Sequence, residues 1–175
     1  MKPKTRSKST KLSPTAQKAR NEEKQSANSE KTIASLISRS RAALDEGDLT
    51  AAHDLAFRAC SILPKDSANV NPIELLGEIQ IELEEFEQAR ECFLEAVRRR
   101  ENVASESLEL GEEGKFLWLG QMSTGEEAER WYLKGVETLQ RVLEKSTNEK
   151  EQKLIYEKIC DVYCSIIELF LTDLW

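Results

Sequence analysis

The sequence predicts an all-α chain, an array of stacked helical hairpins, and three observations lead there. Leu49-x-x-Ala52…Ala59 recurs as Phe86-x-x-Ala89…Ala96 at an offset of 37 residues, and self-similarity at such a period marks repeated supersecondary units, not one globular core. Charged residues make up 33% of the chain while Gly and Pro together number 11, which favours helices over a sheet with many tight turns. Charge is also divided along the chain: Met1 to Arg20 holds seven cations and no acid, leaving 18 cations against 32 acids in the remainder. Tail and body therefore have opposite electrostatic roles.

Residues 1–30 are rich in Ser, Thr and Lys, with Leu12 the only large apolar residue after Met1. Such a segment cannot bury enough surface to offset its ordering entropy, so a disordered basic tail is expected over 1–30 and the folded array over 31–175. Lys2, Lys4, Arg6 and Lys8 form a basic cluster of the kind that serves as a nuclear localisation signal, with a solubilising or RNA-touching arm as the alternative.

The first helix is read from Ile33, Leu36, Ile37 and Leu44 on one face, ending at Glu46-Gly47. Asp48 then caps a second helix that runs to Ile62 and stops at Pro64, with Ala52, Ala56 and Ala59 as a flat stripe for the first helix. The next hairpin opens with Asn71 as cap and Pro72 in the first turn, and carries Ile73, Leu76, Gly77 and Gln80. Glu84-Glu85-Phe86 stands where a glycine turn is usual, and Ala89, Phe93 and Ala96 restore the pattern on the partner helix. A third hairpin is visible in Phe116-Leu117-Trp118-Leu119-Gly120 followed by Ala128, Tyr132 and Gly135. Its second helix is offset by 39 from the one before, yet Gly77 to Gly120 is 43. The stretch after Gly120 is therefore four residues shorter, about one helical turn, and the difference is made up in the Glu101–Gly114 connection. Residues 148–174 read as one long helix with Leu154 or Ile155, Ile159, Val162, Ile166, Leu169 and Phe170 inward. The apolar residues Ile166, Ile167, Leu169, Phe170, Leu171 and Trp175 crowd its end, which suggests either a fragment of a longer array or a partner that covers this face.

The period is close to the roughly 34 residues of a tetratricopeptide repeat, in which small residues let paired helices approach. The fold expected is a right-handed tetratricopeptide α-solenoid, and such arrays bind more often than they catalyse. No catalytic residue, metal site or cofactor is expected. The one histidine, His53, has no nucleophile or metal partner at a telling spacing, and reads as a surface or satisfied side chain. Of the four cysteines, Cys160 and Cys164 share a helical face without further ligands, and buried, inert thiols are the expectation. No apolar run approaches the roughly 20 residues of a membrane span. The charged start is unlike a signal peptide, so nucleus and cytoplasm are the compartments expected.

Carboxylates carry the functional reading. Glu74, Glu78 and Glu82 recur every four residues, one acidic stripe at positions that face the groove of such an array. Either the stripe is a solvated face or it is a negative groove for a basic client. On the final helix Glu157, Asp161, Cys164 and Glu168 repeat the idea at helical spacing, opposite the apolar face. Trp118 is assigned to the groove side as an aromatic anchor, with a core role as the alternative. Arrays that hold acidic chaperone tails use Lys and Asn at these positions, so Glu74 and Glu78 would repel such clients.

Three stretches add a resemblance: Lys115-Phe116-Leu117-Trp118-Leu119-Gly120-Gln121-Met122-Ser123, then Trp131-Tyr132-Leu133-Lys134-Gly135-Val136, and Ile167-Glu168-Leu169-Phe170-Leu171-Thr172-Asp173-Leu174-Trp175. Together they resemble the fungal tetratricopeptide proteins that chaperone newly made large-subunit ribosomal protein four. The resemblance covers roughly residues 33–175, and members of that family continue beyond the Thr-Asp-Leu-Trp stretch into further repeats. It implies a dedicated escort, not an enzyme, that takes a basic ribosomal protein to the nucleus. The residues expected to contact that client are Glu74, Glu78, Glu82, Trp118 and Gln121, with Glu157, Asp161 and Glu168. A nuclear import receptor is a second expected partner, DNA and membrane are not, and a monomer bound to its client is the expected state. The rival reading is a generic tetratricopeptide scaffold in a multiprotein assembly.

Overall fold

The computed structural model describes residues 14–65, 67, 69–101 and 110–172, with side chains from residue 26 onward. Among the described residues there are seven helices and no strand: α1 (Pro14–Asp45), α2 (Leu49–Ile62), α3 (Asn71–Glu82), α4 (Phe86–Glu101), α5 (Gly114–Gln121), α6 (Gly125–Lys145) and α7 (Glu149–Thr172). Each packs on its neighbours in sequence, α1 with α2, α3 with α4, α5 with α6, and each hairpin on the next through α2–α3, α4–α5 and α6–α7. An all-α solenoid is the architecture. Its core is continuous from hairpin to hairpin: Leu36, Ala59, Ile73 and Ala96 share one cluster, while Ala128, Tyr132, Ile155 and Val162 share another at the far end.

The tail departs from expectation, since α1 extends back to Pro14 and residues 14–30 are helical instead of disordered. Ala16, Gln17, Lys18, Ala19, Arg20, Glu22, Glu23, Lys24 and Gln25 are good helix formers, and a proline at the first helical position costs no hydrogen bond. Elongation from a helix already nucleated by the packed segment around Ile33 and Leu36 needs no new nucleus. Residues 1–13 lie outside the described residues.

The repeat extends to the turns. In the first hairpin the Gly47 amide donates to Leu44 O (3.0 Å) and the Asp48 amide to Ala43 O (2.9 Å). In the second, the Glu84 amide donates to Ile81 O (2.9 Å) and the Glu85 amide to Gln80 O (2.8 Å). Each is a Schellman stop, and every position is shifted by the same 37 residues. The turn needs a left-handed residue: Gly47 provides it at φ 79°, and Glu84 is forced into it at φ 61°. Hence the corner that lacks glycine in sequence keeps the same geometry, at a backbone cost of roughly 1–2 kcal/mol. Asp48 caps α2 by accepting from the Ala51 amide at 3.0 Å. The cap of α3 is displaced from expectation: Val70 holds the cap position, and the Asn69 side chain accepts from the Asn71 amide at 3.1 Å.

The third hairpin is shortened where the spacing placed the loss. Beyond Gly77, α3 continues to Glu82, whereas beyond Gly120, α5 continues only to Gln121. On α7, Ile155, Val162, Ile166 and Leu169 are buried, which resolves the Leu154/Ile155 choice in favour of Ile155. Phe170 is 41% exposed, a correction to its inward assignment. With Leu169 inward, its neighbour lies about 100° round the helix and cannot share that face. Trp175 lies outside the described residues. No described helix is long and apolar enough to cross a membrane.

Candidate functional site

The expected acidic stripe exists as one face of α3, but its charge is unequally available. Glu74 pairs with Lys115 of α5 at 2.8 Å. Lys115 is almost wholly buried and also donates to the Glu112 carboxylate at 3.0 Å and the Glu112 carbonyl at 2.8 Å. Glu112 in turn accepts from the Arg100 guanidinium, and buried Glu113 pairs with Lys158 of α7 while accepting from the Gly111 amide at 2.7 Å. Burial pushes the Glu112 carboxyl up, yet hydrogen bonds from Arg100 and Lys115 outweigh it and hold the group below the usual carboxylate range. Thus Glu74 belongs to a charge network that ties α3, α4 and α5 together, while the separate Glu113–Lys158 pair joins the same connection to α7. Nothing local in the sequence marks this, because Lys115 lies 41 residues from Glu74.

Glu78 is half-buried. Its carboxyl is pushed up by burial, pulled partly back by Arg41 of α1, and raised further by the charge of Glu74. Glu82 is exposed. The stripe therefore grades from a neutralised end at Glu74 to a solvated end at Glu82.

Trp118 is partly buried and has features of both the groove role and the core role. Its ring stacks on Phe93 of α4 at 6.4 Å between centroids and 13° between planes, in the cluster where α4 and α5 meet. Its outer edge and Gln121 line a cleft of about 360 Å³ with Ile81, Phe86, Arg90 and Met122. Arg90 is fixed on that rim by Glu127 at 2.6 Å. Gln121, exposed, also borders a second cleft of about 440 Å³ that contains Glu168. Glu157 and Asp161 lie apart from these two, lining a further cleft of about 510 Å³ along α7 with Tyr156 and Cys160. The structure thus joins Trp118 to Gln121 and Gln121 to Glu168, and leaves Glu82, Glu157 and Asp161 outside both clefts. Lys2, Lys4, Arg6 and Lys8 lie outside the described residues.

The thiols also differ from expectation. Cys160 and Cys164 are exposed, because the buried face of α7 is taken by Ile155, Val162 and Ile166. Cys60 and Cys92 are half-buried between α2, α3 and α4, and burial pushes their thiols up to about 12 and about 11. Such thiols stay protonated and unreactive at neutral pH. His53 stacks on Phe57 at 6.3 Å. No described group of His, Cys, Asp and Glu is arranged to hold a metal ion.

No protein-family model matches the chain. Among curated proteins it is 40% identical over 121 residues, 69% of its length, to the "Probable assembly chaperone of rpl4" of Schizosaccharomyces pombe. It is 32% identical over 114 residues to the protein of the same name in Emericella nidulans. Among solved structures it matches the assembly chaperone of RpL4, Acl4 (residues 1–338), with a TM-score of 0.69 and 24% identity, over 80% of this chain and 55% of that one. The chain spans about one third of the length of the curated relatives. It is thus a homologue, over some two thirds of its residues, of the fungal proteins described as probable assembly chaperones of rpl4, and it carries the all-helical fold of Acl4.

Proposed function

We propose that this chain is a chaperone module that binds ribosomal protein L4 through the acidic and polar faces of α3, α5 and α7 and accompanies it to the nucleus for assembly of the large subunit. The observation that carries the reading is the homology to proteins named for that client. Electrostatics supports it independently: beyond Arg20 the sequence has 32 acids against 18 cations, a field that draws in a basic, extended polypeptide and shields it from RNA. Half-buried Glu78 and exposed Glu82 are the carboxylates of the α3 stripe that Lys115 does not engage, and Trp118 with Gln121 offers an apolar and hydrogen-bonding wall. Lys2, Lys4, Arg6 and Lys8 would engage an import receptor, giving residence in both cytoplasm and nucleus, and the working species is one chain bound to one client.

A scaffold role in a larger assembly draws on a different observation, the exposed Tyr156, Tyr163, Ile167 and Leu171 along α7, an apolar stripe suited to another helix. Affinity purification of the tagged chain from its own cells, followed by mass spectrometry, separates the two. Ribosomal protein L4 as the dominant, salt-sensitive partner is expected; a stable set of non-ribosomal subunits without L4 would refute the chaperone reading.

A further inference from the structure

The cleft of about 440 Å³ lies between the turn joining α5 to α6 and the last two turns described for α7. Gln121 and Ser123 line it from the turn, Tyr132 from α6, and Ser165, Glu168 and Thr172 from α7. None of its lining residues is a cation. Two hydroxyls have already committed their protons: Ser165 donates to Asp161 O at 3.3 Å and Thr172 to Glu168 O at 2.9 Å. With those protons committed, each hydroxyl oxygen keeps only its acceptor capacity for a further partner. The Ser123 hydroxyl oxygen is buried and has no hydrogen-bond partner, whereas buried polar groups are ordinarily paired. Burial, and then the charge of Glu168, push the Tyr132 phenol up from its ordinary value. The C-terminal end of α5, at Gln121, adds the partial negative charge of a helix terminus.

We propose that this cleft is a socket for one arginine side chain of a bound protein, with Glu168 as its counter-charge. The acceptors are spread over three elements, which suits a planar guanidinium with five N–H donors better than a compact ammonium. Leu169 supplies an apolar wall for the methylene stem. The proposal rests on the client reading only for the source of the arginine.

The test uses the purified chain and two short peptides, Gly-Ser-Arg-Ser-Gly and the same peptide with citrulline, which keeps the shape of arginine and removes its charge. In amide-resolved NMR titrations the arginine peptide is expected to shift Gln121, Ser123 and Thr172 saturably, and both citrulline and Glu168→Gln are expected to weaken binding by about ten-fold. Equal binding of citrulline, unchanged binding by Glu168→Gln, or shifts confined to other residues would each overturn the socket. Capture of ribosomal protein L4 is measured in parallel. If the wild-type chain and Glu168→Gln capture it equally, the socket falls and the client reading stands. If L4 is not captured while the arginine peptide binds as described, the socket stands and the client reading falls.

Discussion

At the scale of single residues, the small side chains of this array are set by the aromatic rings opposite them. A Cβ added at Gly77 would meet the Phe93 ring at 2.9 Å, and one at Gly120 would meet the Tyr132 ring at 2.7 Å. In the first hairpin, 37 residues before Gly77 and Phe93, stand Ser40 and Ala56. With no ring there, Ser40 is tolerated and fully buried, and its hydroxyl donates to Ala52 O at 2.7 Å. Glycine at this register is therefore a consequence of the ring, which yields a prediction with a change of sign. Gly77→Ala alone is expected to lower stability by up to about 2 kcal/mol, the balance of overpacking of about 1–3 kcal/mol and a helix-propensity gain of about 1 kcal/mol. In a Phe93→Leu background the ring atoms are gone, and the same substitution is expected to raise stability by up to about 1 kcal/mol. Urea denaturation of the four proteins measures both steps; the same penalty in both backgrounds would contradict the argument.

At the scale of elements, α5 is short, only eight residues, and Leu119 is its one buried apolar side chain. Lys115 at its start is the fastener, reaching Glu74 on α3 and Glu112 in the connection that also meets Arg100 of α4. Removal of one partner from a buried ionic cluster leaves uncompensated charge, so Lys115→Met is expected to cost about 3–5 kcal/mol near neutral pH. The sign of its pH dependence follows from Glu112, whose folded pKa lies below its unfolded value. Its contribution is present above the usual carboxylate range and is lost as pH falls through that range toward the folded value. The deficit of Lys115→Met should therefore shrink on acidification, as denaturation curves at neutral and acidic pH can check. This network also marks the limit of what the sequence made legible. The hairpins, the left-handed turn at Gly47 and the shortening after Gly120 were readable, because small residues, a turn glycine and period are local signals; the matching turn at Glu84, which has no glycine, was not. The inward choice of Ile155 over Leu154, the Trp118–Phe93 stack and the Lys115–Glu74 pair were not, because each depends on which distant helix lies opposite. Glu74 was singled out for its spacing along α3, and spacing along one helix carries no information about a lysine on another.

At the scale of the whole molecule, the acidic body has to be stable alone and attractive to a basic partner, and Glu78 is where those demands conflict. Its carboxyl is held above the usual range, chiefly by burial and against the pull of Arg41, so the native state is penalised once the group ionises. The penalty is absent below the unfolded pKa, grows as pH rises through the interval up to the folded pKa, and persists at neutral pH. Glu78→Gln removes it. The free variant is expected to show a higher urea midpoint than wild type at neutral pH, with the difference vanishing under acid conditions where both side chains are uncharged. On the client reading the same substitution deletes an attractive charge on the α3 face, and capture of basic L4 should weaken by about three- to five-fold at low salt. That loss should shrink as ionic strength rises and screening removes the wild-type advantage. Stability and affinity thus move in opposite directions in one variant. A purely solvated stripe would leave affinity unchanged, and a purely structural glutamate would lower both.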